Sequence, residues 1–159
     1  LDEIWNLLGF PVKQYVFAYA LAAFGGVLGK LIFGYLMDLM KAAYPSMIAM
    51  SLQAIGIFGF TYFNEPIIFF LSALIFGLGY GAATPLMTAC YLRAFGSHNL
   101  GKARGISSPI VAPLQPVGIL ITSILIGFQD TYFVAFNIMA CFALIAVVLA
   151  SQIQEPEKI

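Results

Sequence analysis

Five apolar stretches, each about the length that crosses a bilayer, occupy almost the whole chain, and the short gaps between them hold nearly every charged residue. They run from Tyr15 to Met37, Pro45 to Phe63, Ile67 to Leu92, Gly105 to Phe128 and Thr131 to Ile153. A hydrocarbon core of ~30 Å needs ~20 helical residues at ~1.5 Å rise each, so every stretch is long enough to cross. Runs such as Ile67 to Phe76 do not alternate apolar with polar side chains, as a barrel strand would, so the spans are read as helices. The expected fold is therefore all-α, a polytopic membrane helical bundle occupying residues 1–159, with a short polar tail at 154–159.

Composition agrees with that reading and removes others. The chain is 62% hydrophobic and 9% charged, with a mean hydropathy of +0.97, far from the balance of a water-soluble domain. Seven basic residues stand against seven acidic ones, so there is no electrostatic case for nucleic acid. Cys90 and Cys141 both fall within apolar spans, where cysteine acts as a small packing residue. His98 is the sole histidine and has no Cys, Asp or Glu cluster beside it, so neither a metal nor a cofactor is expected. Gly-x-Ser-x-Gly, His-Glu-x-x-His and Walker patterns are all missing, and an enzyme is not expected.

Charge also suggests an orientation. Alternate gaps fall on alternate sides of the bilayer, which collects Lys41, Arg93, Lys102, Arg104 and Lys158 on one side and Lys13 on the other. The richer side is expected to be cytoplasmic, with the amino end outside and the carboxyl end inside.

Within the spans a few residues depart from a plain lipid-facing helix. Gly25 with Gly29 and Gly77 with Gly81 are small-xxx-small pairs, which let helices approach closely or allow a transporter helix to bend. Pro109, Pro113 and Pro116 each remove a backbone donor from the fourth span. Lys30 is eight residues before Asp38 and so lies ~12 Å inside the span, where a lysine either snorkels to the interface or meets a bundle interior, a water-filled path or a partner. Tyr80 and Gln115 fall near mid-span and are candidates to line a cavity or to bond across helices. Gln53 and Asn137 are expected to form helix–helix contacts, while Thr84 and Ser108 are expected to bond within their own helix.

The segment Gly29-Lys-Leu-Ile-Phe-Gly34-Tyr-Leu-Met-Asp38-Leu-Met-Lys41 resembles the signature at the cytoplasmic end of the second helix in each six-helix half of the major facilitator superfamily. Gly77-Leu-Gly-Tyr-Gly-Ala-Ala-Thr-Pro85, Phe95-Gly96, Gly101-Lys-Ala-Arg-Gly105 and Asp130-Thr-Tyr132 resemble later parts of such a half. Ile67 to Gly81 has no arginine, which favours the carboxyl-terminal half. That resemblance implies the eighth to twelfth helices of a carrier whose first seven helices precede Leu1. It further implies that a small organic solute crosses by alternating access, with substrate bound by Lys30, Tyr80 and Gln115. Gly34, Asp38, Lys41 and Pro113 would serve conformational gating. Lys30 resembles the cation by which monocarboxylate and oxalate/formate carriers hold a carboxylate, and the string from Gly101 to Pro116 resembles the amino-acid facilitator branch. From the residues alone, a membrane scaffold or assembly subunit remains the alternative of another class.

Overall fold

A computed structural model describes residues 12–62, 65–129 and 132–153; the side chains at 12–15, 115, 119, 125–129 and 132 are outside the described set. Among the described residues five helices follow one another: α1 (Val12–Leu39), α2 (Ala43–Tyr62), α3 (Pro66–Val111), α4 (Leu114–Gln129) and α5 (Tyr132–Ser151). No strand occurs among the described residues.

Four helical stretches are long and apolar enough to cross a membrane: Val16–Leu39, Ala43–Tyr62, Pro66–Ile124 and Phe133–Ser151. The third contains 59 residues and takes in both the third and the fourth span expected from the sequence. As a straight rod it would be ~88 Å long, about three times the hydrocarbon thickness. It is not straight. Gly96 interrupts it with φ 73° and ψ 168°, a region open essentially to glycine alone. Beyond the break, an Arg104 Nη donates to Thr88 Oγ1, sixteen residues back. Sixteen residues of continuous helix measure ~24 Å, beyond the reach of two side chains, so the chain folds back on itself at Gly96.

This corrects one expectation. The gap from Arg93 to Arg104, read as an interfacial loop, is helical on both sides of Gly96. Polarity alone had suggested a loop, but polar residues lengthen a helix as readily as they end it, and only Gly96 carries a backbone angle that turns the chain. A second interruption falls at Ala112 and Pro113, where α3 passes into α4. Pro85 and Pro109, by contrast, are accommodated within α3. Replacing Gly96 by alanine is expected to cost about 1–3 kcal/mol, because any Cβ disfavours this angle. The loss would be read as a lower unfolding midpoint in detergent.

α3 is the centre of the bundle. α1 and α2 both pack along it but scarcely touch each other, α5 packs on α2, and α4 makes only slight contact with α3 and α5. Edge-to-face rings pin each pair of neighbours: Phe17 with Phe70 at 5.1 Å, Phe60 with Phe69 at 5.2 Å and Tyr62 with Phe133 at 5.4 Å.

Small residues set how closely these helices approach. A side chain at Gly77 or Gly81 would overlap the α1 backbone at Ala22 or Gly26, and one at Gly25 or Gly29 would overlap α3 at Leu74 or Leu78. The two glycine pairs read from the sequence therefore face each other across one seam. On its other side α3 meets α2 just as closely, with Gly79 against Ala49 and Gln53, Gly56 against Phe76, and Gly59 against Ser72. The core is accordingly rich in alanine, and its principal cluster joins Phe33, Met37, Ala42, Ala49, Ala82 and Leu86. Large apolar side chains, among them Leu31, Ile67, Leu120, Phe142 and Val148, lie on the outside, as a lipid solvent permits and water does not.

Two polar side chains expected at helix–helix contacts are found there. Gln53 Nε2 donates to the Gly79 carbonyl at 3.2 Å, and Tyr62 hydroxyl donates to Asn137 Oδ1 at 2.9 Å. Intrahelical bonds of the kind expected at Thr84 and Ser108 are made by Thr61, Ser72, Thr88 and Thr122, each donating to the carbonyl four residues earlier.

Candidate functional site

The register of the α1–α3 seam places the candidate residues. Ala22 meets Gly77 and Gly26 meets Gly81, so the helices run parallel and four residues on one match four on the other. One more turn brings Lys30 level with Pro85. At ~100° per residue Lys30 lies farther round the same flank of α1 as Ala22 and Gly26, while Tyr80 and Thr84 lie farther round the matching flank of α3. All three residues are exposed, and they border one side of the seam, with Tyr80 about a turn and a half nearer the amino-terminal end of α3.

Among the described residues Lys30 makes neither a hydrogen bond nor an ion pair. The Tyr80 ring is 61% exposed and stacks on Phe76, with centroids 6.0 Å apart and planes 17° from parallel, which fixes the ring against its own helix. Gln115 is the second residue of α4, and its side chain lies outside the described residues. Among those residues α4 makes no contact with α1, so Gln115 stands on an element apart from the one that carries Lys30.

The residues implied in gating are distributed differently. Gly34 has open space where a Cβ would stand, four residues along from Lys30. Asp38 and Lys41 are exposed, and neither makes an ion pair among the described residues. Pro113 is exposed at the junction of α3 and α4.

A contact not foreseen from the sequence closes the same end of α1. Arg93 of α3 sends its guanidinium to the Met37 and Met40 carbonyls, the second at 3.0 Å. α1 has no basic residue in its last turn, so its terminal carbonyls would otherwise face a poorly hydrated boundary. One terminal nitrogen, Nη2, donates to both carbonyls through its two N–H groups. The signal was legible in principle: a helix without its own C-terminal cation, and an arginine ending a neighbouring span. Arg93→Ala is expected to cost about 1.5–3 kcal/mol, the range for bonds involving a charged group, and Arg93→Lys to recover part of it. Reversible unfolding in mixed micelles measures both.

A hollow lies elsewhere. A trough of about 410 Å³ follows one face of α5 and is lined by apolar side chains with Asn137 and Cys141. Residues of a single helix line it, so it is an open surface and not an enclosed site. Among the described residues no group of three or more His, Cys, Asp or Glu could hold a metal ion.

No family model, curated protein or solved structure matches this chain.

Proposed function

We propose that the chain is part of a secondary or facilitative transporter, corresponding to five helices of a major-facilitator-type half, that moves a small carboxylate-bearing solute by alternating access. The fold-back at Gly96 supports five crossings, because it divides the 59-residue stretch into two arms. The observation that carries the functional reading is Lys30, a cation ~12 Å from the end of its span, exposed on the same flank of the seam as Tyr80 and without a polar partner among the described residues. A lysine at that depth costs a few kcal/mol unless something compensates it, and a solute carboxylate would do so. In this reading Tyr80 and Gln115 donate hydrogen bonds to the solute, while Gly34, Asp38, Lys41 and Pro113 serve the cytoplasmic closure. Helices preceding this chain would face the exposed side of α1. A monocarboxylate is the favoured solute class, with an amino acid, which also presents a carboxylate, as runner-up.

A solute panel tests this directly. Carboxylates are expected to stabilise the purified protein, and their neutral amides are not. At a hundred times the dissociation constant the gain is about 2.7 kcal/mol, or a rise of roughly 5–10 °C in melting temperature. If no carboxylate outperforms its amide, the carrier reading fails and a scaffold subunit, docking through its exposed α1 face, takes its place.

A further inference from the structure

We propose that the end of the bundle bearing Lys41 and Arg93 holds a binding site for the phosphate of an anionic phospholipid, formed by Lys41 after α1 and by Lys102 and Arg104 in the returning arm of α3. The site does not depend on the transport reading.

Three contacts bring these residues together. Arg93 ties the α1 terminus to α3 through the Met37 and Met40 carbonyls, which sets Lys41, the next residue, beside the inner end of α3. The turn at Gly96 then returns the chain, and the Arg104 bond to Thr88 fixes the depth of the second arm. Lys102 stands two residues nearer the turn, ~3 Å along the axis. Arg93 is committed to backbone carbonyls, but the other cations are not so used. Lys41 and Lys102 are exposed and make no hydrogen bond or ion pair among the described residues, and the Arg104 Nε is buried with no acceptor among them. Exposed His98 lies in the same arm, and Asp38 is the acidic residue described at this end.

A buried guanidinium N–H without an acceptor calls for an anion or a water, and two unpaired lysines at the same level favour the anion. Position and surroundings choose the lipid over a soluble phosphate. The cations lie where spans leave the hydrocarbon, at the depth of headgroups. Leu39, Met40, Ile106 and Ile110 beside them are 61%, 45%, 71% and 67% exposed, and they offer apolar surface to the acyl chains of the same molecule. A soluble anion would gain nothing from those four side chains.

Native mass spectrometry of the full chain, released from nanodiscs of phosphatidylcholine with phosphatidylglycerol, provides the test. The protein is expected to retain phosphatidylglycerol in preference to phosphatidylcholine. Lys41→Gln with Lys102→Gln should weaken that preference about thirtyfold, about fivefold for each lysine near the surface, and Glu65→Gln at the opposite end should leave it unchanged. Millimolar inorganic phosphate should not displace the lipid. Equal retention of the two lipids, an undiminished preference in the double variant, or displacement by inorganic phosphate would each overturn the proposal. The melting temperature in pure phosphatidylcholine checks that the double variant is folded; if it is not, Lys102→Gln alone must show its fivefold loss.

Discussion

Gly81→Leu is expected to unfold most of the bundle at temperatures where the parent is intact. A Cβ at this position already overlaps the Gly26 backbone, and backbone cannot rotate aside as a flexible side chain can. Overpacking usually costs about 1–3 kcal/mol, and forcing two whole helices apart belongs at or above the top of that range. The damage does not stop at one contact. Separating α1 from α3 also withdraws Phe17 from Phe70 and the α1 terminus from Arg93, so the three contacts are expected to fail together. Gly34→Leu is the matched control: the same change in the partner helix α1, at a position where an added Cβ meets nothing within 4 Å, is expected to be nearly neutral in detergent. Circular dichroism during a thermal ramp separates the two, and equal melting temperatures would disprove close approach as the source of cohesion between α1 and α3.

Lys30 gives the second large effect, and the direction of its stability change matters as much as the loss of binding. In the carrier reading, Lys30→Ala lowers the affinity for a carboxylate solute by about 10- to 150-fold, which corresponds to the 1.5–3 kcal/mol of a hydrogen bond to a charged group. Lys30→Arg is expected to retain most of the affinity, since it keeps the charge. The empty protein behaves oppositely. Removing a cation that has no partner among the described residues relieves the cost of holding it within the span, so Lys30→Ala without solute should be as stable as the parent or more so. A structural lysine would give the reverse pattern, with loss of stability and no change in solute response. Paired melting curves, with and without solute, distinguish the two.

Much of the fold could be read in advance because lipid imposes simple rules. Length and apolarity marked an all-helical chain with helices long enough to cross a membrane, and the spacing of Gly25, Gly29, Gly77 and Gly81 marked the faces that now meet. Gln53 and Asn137 were legible because an amide at that depth must find a partner, and a neighbouring helix supplies one. The neighbour relations were not. Hydropathy says that a helix crosses and nothing of what lies beside it, so the central place of α3 emerges only from notches cut on two of its sides. Gly96 was hidden for a related reason: among the chain's 15 glycines, nothing local shows which one takes a positive φ. The Arg93 contact joins residues more than fifty apart, a separation no motif spans. As for the candidate site, chemistry singled out Lys30 and Tyr80, and the seam register puts them on one flank. Gln115 was grouped with them by depth alone, and depth does not fix lateral position.

The near absence of contact between α1 and α2 bears on biogenesis. As the nascent polypeptide leaves the translocon, α1 and α2 have little to hold them to each other and must wait as lipid-solvated rods. Their seams form when α3 slips between them, so a ribosome arrested before that point would leave α1 and α2 without their shared partner and open to quality-control proteases.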